Sequence, residues 1–386
     1  MRPSYAAAMG LTVCVLVSVG GPVTNAKANP AAHPTTHKAH SVAHGTAAET
    51  NRLFIPFSVL GTLSSVKMVG PKIGWAASNR GVYRTTNGGV LWTRVLRGDA
   101  AWQTNGQAAF INKNTAYVIL PFTNATSHLF VTHEGGRHWK SSVVELGAQT
   151  VVQMSFANAH LGWAMTSAGV AGPSEPVAIY KTDDHGYHMH LIVPAPIPPR
   201  SITESHGLPQ GTLKNGLVFE SPTKGWIAAA TPGNDILLFE STDGGKTWFS
   251  HDITSIPRVF QSDLGGNQQP GIPAFFTSRL GALPVGFNNG GFLLYVTNDG
   301  GQHWHFTYPL LTKSAVEYDI LNEGHVFVAV GKTLYESMNL GRSWSVVSKS
   351  TPTGASLEFV NPAVGFAVGK SLWKTGNGGK TWSAVG

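Results

Sequence analysis

The chain has 386 residues, with 27 Lys and Arg against 20 Asp and Glu, 16 His, 45 Gly and one Cys. Charged residues are only 12% of it, while Gly and aromatic residues are plentiful, which suits one large all-β domain of many short strands and turns. A single cysteine excludes a disulfide framework and thiolate metal clusters.

Residues 1–28 read as an export signal: Arg2 near the start, an apolar core over 6–19, then Ala26-Lys27-Ala28 as a small-residue cleavage site. The core is too short for an ordinary membrane span, although an uncleaved anchor stays open. The lone Cys14 lies in this core behind the bulky Val13, which disfavours a lipid-anchor reading. After cleavage the mature chain is extracytoplasmic, whether secreted or envelope-associated. It then has no cysteine, and thiol catalysis is excluded. Its net charge is 25 − 20 = +5, and protonating every histidine raises that by 16 to +21. Few carboxylates and many histidines point to an acidic exterior, because charge then accumulates as pH falls. Residues 29–50, rich in Ala, Thr, His and Pro, have no apolar period and are expected to be a disordered leader. His33, His37, His40 and His44 read there as a solvated, pH-dependent spacer, with transition-metal binding as the alternative. Residues 53–60 look strand-like, and are expected to pair beside the last blade described below and close the array.

From there to the end one eight-residue pattern recurs seven times: Ser/Thr, any, Asp/Asn/Glu, any, Gly, any, any, Trp. The copies start at Thr85, Thr132, Thr182, Ser241, Thr297, Ser337 and Thr375. Position three is Asn87, Glu134, Asp184, Asp243, Asp299, Asn339 and Asn377, and position five is always Gly. Position eight is Trp, except for Met189 in the third copy. A carboxylate or amide oxygen can collect backbone N–H groups and close a tight turn. The hydroxyl adds a local bond, and the glycine admits positive φ. An aromatic lies two residues upstream of every copy, with an aliphatic before it, so each copy is the turn of a β-hairpin that leaves through Trp. A second echo, Gly-Trp or Gly-Phe, stands at 74–75, 162–163, 225–226 and 365–366. Copy-to-copy spacings of 47, 50, 59, 56, 40 and 38 residues each fit a four-stranded unit with its loops. The units are expected over about 64–97, 101–145, 150–193, 217–253, 274–310, 315–348 and 355–385.

The pattern resembles the Asp-box, or bacterial neuraminidase repeat, of sialidases, sortilin-type receptors, xyloglucan-cleaving hydrolases and photosystem II assembly-factor propellers. The resemblance covers about residues 52–386. It implies a seven-bladed β-propeller of four-stranded antiparallel blades, with Asp-box hairpins between third and fourth strands at the blade periphery. It also implies that the position-three residues are structural. The organisation is most similar to the assembly-factor propellers, which bind membrane-protein partners partly through basic surface. The sialidase arginine motif is absent, because Ile55-Pro56 follows Phe54 instead of Arg. One propeller also lacks the cleft that two tandem propellers form in the xyloglucan-cleaving enzymes.

Three insertions, over 167–176, 195–215 and 255–273, are expected on the face opposite the Asp-box turns, over blades three to five. They carry the candidate binding residues Glu175, Arg200, Glu204, His206, Arg258, Asp263, Gln268 and Gln269. Arg80, Arg84, Arg94 and Arg97 make blade one basic, either as a contact surface or as a solvated rim. No catalytic residue, metal or cofactor is assigned. His185, His188 and His190, beside Asp183 and Asp184, read as a polar edge strand, and His303 and His305 repeat their pattern. The sequence therefore favours a monomeric, non-catalytic scaffold that binds a protein partner of envelope or assembly-factor type. Peripheral membrane contact stays open, and nucleic acid is not expected. The alternative is a carbohydrate-active propeller, a glycan binder or a hydrolase in which Glu204 and Asp263 converge.

Overall fold

The computed structural model describes residues 54–385, apart from 99–105, 122–125, 147–148, 168, 170–174, 196–203, 210, 232–234, 252, 254–255, 257–259, 261–263, 265–267, 289 and 322–323. The expected export signal and leader lie outside the described residues. Seven antiparallel sheets follow one another, each with its strands side by side in chain order, and together they form a seven-bladed β-propeller. Blade one contains Leu63–Met68, Gly74–Ser78, Gly81–Thr85 and Trp92–Arg97. Blade seven contains Ser356–Phe359, Gly365–Val368, Leu372–Thr375 and Ser383–Val385. Every eight-residue turn joins the third strand of its blade to the fourth.

Apolar patterning follows each strand's place in the blade. The second strands Gly162–Ser167 and Gly225–Ala230 are buried throughout, since neighbouring blades cover both sheet faces. The outer strand Lys140–Glu145 is mostly exposed. The core divides into seven apolar layers, each shared by two adjacent blades. A repeated aromatic stack fills these layers. Trp163 of blade three lies flat on Phe219 of blade four, with ring centres 3.6 Å apart, and Trp248 meets Phe219 edge-on. Trp226, Phe275 and Trp304 do the same between blades four and five. The Gly-Trp echo has its cause here: Phe219 also lies over Gly225 of its own blade, where a Cβ would stand 2.5 Å from the ring. Glycine makes room for the stacked ring, and the following aromatic faces the next blade.

Three segments differ from expectation. Phe54–Ile55 does not pair beside blade seven. It adds a fifth strand to the outer edge of blade one, with Phe54 opposite Thr93 and Ile55 opposite Trp92. The ring closes instead by packing: Phe57, Leu60, Val66 and Met68 share a layer with Phe366, Val368, Leu372 and Val385. The inner strand of blade five begins earlier than expected, as Gln268–Pro270, and resumes as Ala274–Phe275, both against Gly281–Phe287. Proline suits this strand because its inner edge faces no ladder partner. For the same reason the Pro/Gly signal reads as loop. Finally, Glu204–Ser205 and Leu208–Pro209 form a small hairpin within the insertion before blade four.

Candidate binding surface

Strand order gives the ring two faces. The eight-residue turns share one face with the turns that join first to second strands. The second-to-third turns and the links between blades lie on the other face, called here the loop face.

On the turn face the polar groups answer one another locally. The first-position hydroxyl accepts the fifth-position N–H in all seven copies, at 2.8–3.0 Å. In six copies that hydroxyl also donates to the third-position side chain. The third-position oxygen in turn accepts the seventh-position N–H, as Asp243 does from Thr247 at 3.0 Å. In six copies the side chains at positions three and seven also pair, and they do so by type. Acids take histidine in Glu134–His138, Asp184–His188 and Asp299–His303, or threonine in Asp243–Thr247. Amides take a hydroxyl in Asn339–Ser343 and Asn377–Thr381. These bonds hold the acids ionised. The backbone N–H and ring of His303 place Asp299 well below the usual carboxylate range. The His138 hydrogen bond lowers Glu134. For Asp243 burial pushes upward, but the bonds from Thr247, Ser241 and Lys246 outweigh it.

The fifth-position glycine also receives a side chain from the preceding blade. A Cβ on Gly301 would stand 2.3 Å from the Trp226 ring, and one on Gly379 would stand 2.2 Å from Leu334. Basic residues tie the same junctions. Arg84 lies over Trp75 and donates to the Lys113 carbonyl of blade two. Lys224 lies over Trp226 and donates to the Gly300 carbonyl of blade five. Lys374 lies over Phe366 and donates to the Pro71 carbonyl of blade one. Arg84 is therefore a joint between blades.

The histidines of the third turn are likewise local. His188 binds Asp184, and Nδ1 of His185 donates to the Ala159 carbonyl while its ring lies 3.8 Å from that of His160. His185 and Leu340 occupy the fourth position with φ of 67° and 54°, where the other copies have glycine. Among the described residues no group of three His, Cys, Asp or Glu is arranged to hold a metal ion.

The loop face is irregular. Between blades one and two lies a cavity of about 200 Å³, lined by Thr62, Leu63, Ser78, Asn79, Gln107 and Leu120 among others. Among the described residues that line it there is no carboxylate. Beside it Arg80, Arg94 and Arg97 gather about Gly81: Arg80 precedes it, Arg97 is its cross-strand partner, and Arg94 Cδ lies 3.3 Å from where its Cβ would be. All three are exposed, and none is ion-paired with a described carboxylate. Arg80 is braced by a bond to the Val59 carbonyl at 3.1 Å.

The expected binding residues that the structure describes are dispersed. Arg200, Arg258 and Asp263 lie outside the described residues, as does the side chain of Glu204. Glu175 is buried, and its carboxylate accepts the Lys214 N–H at 2.9 Å. Lys214 Nζ donates to the carbonyls of Glu175, Pro209 and Thr212, so this buried lysine ties two insertions together. Burial pushes the Lys214 amine down to about 8, against the pull of Glu175. His206 leaves the loop face altogether. Its carbonyl accepts the Trp248 N–H and its Nδ1 donates to the Lys246 carbonyl, each at 2.9 Å, on the outer edge of blade four. Gln268 and Gln269 belong to an inner strand, not an insertion. The cavity gave no sequence signal, because it is built from backbone ends and small side chains. Lys214 gave one: a lysine inside an otherwise strand-like run.

This architecture defines the class as an all-β seven-bladed propeller. Solved structures with the same fold include YCF48 from Cyanidioschyzon merolae, 16% identical with a TM-score of 0.56, covering 84% of this chain and 98% of that one. A second is described as YCF48 bound to D1 peptide, 17% identical with a TM-score of 0.53, covering 86% and 94%. A third is an uncharacterized protein from Listeria monocytogenes EGD-e, 8% identical with a TM-score of 0.52, covering 86% and 94%. At these identities the likeness is one of fold. No family model matches the chain, and no curated protein matches it.

Proposed function

We propose that the chain is an exported, monomeric, non-catalytic scaffold whose loop face docks an acidic segment of a protein partner, and that its seven turns are Asp-boxes. The observation that carries this reading is the exposed trio Arg80, Arg94 and Arg97, ion-paired with none of the described carboxylates, beside a cavity able to take a side chain. Exposed guanidiniums that are ion-paired with no described carboxylate suit a carboxylate-bearing segment by charge and geometry. The fold shared with a propeller that carries a bound peptide supports the same reading. The described lining of the cavity offers no acid pair of the kind glycoside hydrolysis needs. The test is capture from the detergent-solubilised envelope of the source cells, with the full chain as bait and an Arg80→Ala, Arg94→Ala, Arg97→Ala triple variant as control. A specific protein held by the first bait and lost by the second supports the proposal. Equal retention by both baits, or enrichment of polysaccharide alone, contradicts it, and the latter favours the carbohydrate reading.

A further inference from the structure

Near the centre of the ring, inner strands of adjacent blades are joined by a recurring bond. At the junction of blades three and four, the Ser155 hydroxyl accepts the Phe219 N–H at 2.9 Å. Two other junctions make the same bond with a carboxylate. Asp319 of blade six accepts the Phe359 N–H of blade seven, and Glu358 of blade seven accepts the Met68 N–H of blade one at 2.8 Å. All three acceptors are buried. The junction of blades seven and one differs from the rest in that no polypeptide link crosses it. It is held by its apolar layer, the Lys374 bond to the Pro71 carbonyl, and Glu358.

Glu358 is an unusual residue for that position. One oxygen holds Met68, while the other, Oε1, is buried with no hydrogen bond and lies 3.8 Å from Lys67 Nζ. The charged groups that face it are Lys67, from the inner strand of blade one, and Asp319, from that of blade six. A loose contact with one cation compensates poorly for taking a carboxylate out of water. We propose that the junction of blades seven and one is a proton-operated clasp: neutral Glu358 keeps the ring shut, and ionisation of Glu358 loosens that junction.

Burial pushes the Glu358 carboxyl up to about 8, against the pull of Lys67 and the Met68 N–H and with a further push from Asp319. Asp319 is itself pushed up to about 6 by burial. For an acid raised on folding, the native state keeps a proton that the unfolded chain has released. The stabilisation is full below the unfolded value near 4.5, declines as pH rises toward about 8, and is gone above it. The clasp is thus tight in acid, in keeping with the acidic exterior expected from composition.

Residue-resolved hydrogen exchange of the full chain, corrected for intrinsic rates and run from about pH 5 to about pH 9, tests this. The Met68 amide should lose protection about tenfold or more across the range, while the Phe219 amide, bonded to non-titrating Ser155, keeps its own. Parallel behaviour of the two amides would overturn the proposal. In a Glu358→Gln variant the amide oxygen can still accept the Met68 N–H, and the pH dependence at Met68 should vanish. Its persistence would likewise overturn the proposal. A Lys67→Met variant removes the cation that favours ionisation, so the loss at Met68 should move to higher pH. Movement to lower pH would contradict the assigned roles.

Discussion

The two faces of the ring are built from the same blades to opposite rules. On the turn face, seven copies of one pattern close on themselves: hydroxyl to N–H, carboxylate or amide to the seventh residue, glycine to the neighbouring blade. The third-position acids there already have partners, as do His138, His185, His188 and His303, which would otherwise suggest catalysis or metal binding. Among the described residues of the loop face no such repeat exists, and Arg80, Arg94 and Arg97 stand beside a cavity, ion-paired with no described carboxylate. Repetition marks residues committed to architecture, and the break in repetition is where the proposed partner would be met.

Substitutions on the two faces should differ in their effects. The largest effect is expected at Gly301, whose φ of 94° and contact with the Trp226 ring both exclude a side chain. Gly301→Val should cost about 4 kcal/mol or more, seen as a collapse of the chemical denaturation midpoint. Next is Asp243→Ala, which removes the acceptor of bonds from Ser241, Lys246 and Thr247. It should cost about 1–2 kcal/mol, readable as a lower Tm. Asp299 illustrates the pH rule on this face. Its folded value is depressed, so the stability it contributes is present above the ordinary aspartate value and is lost as pH falls through the depressed one. His303→Ala should therefore move the acid-unfolding limb to higher pH, and an unchanged limb would remove His303 from the account. The smallest effect on stability is expected on the loop face. Reversing Arg94 and Arg97 to Glu should change stability by less than about 0.5 kcal/mol while abolishing partner capture.

How far the sequence discloses the molecule depends on the range of the interaction. The turns were legible because their bonds join residues two to four apart, so the pattern repeats wherever the turn does. Blade number and strand order followed from the spacing of those turns. Contacts between blades left only partial traces: the Gly-Trp echo was visible, but its cause, a ring from the first strand lying over the glycine, is a tertiary fact. Phe54–Ile55 carried a strand signal but no indication of which edge it would join, since both blades one and seven offer one. Glu175 and His206 looked exposed because they lie in polar insertions. One is turned inward by Lys214 and the other is drawn to the edge of blade four by Trp248, pairings about 40 residues apart that no local pattern encodes. The arginines of blade one could be seen as basic, but their division into the joint Arg84 and the exposed trio required the fold.

Partner binding is proposed to occupy the loop face near blades one and two. It is tested most directly by a hydrogen-exchange footprint of the full chain with and without the captured partner. Slowed exchange is expected only at the loop-face ends of blades one and two, around Thr62, Asn79 to Gly81 and Gln107, with the seven turns unchanged. Protection on the eight-residue turns instead, with the Arg80 region unaltered, would contradict it.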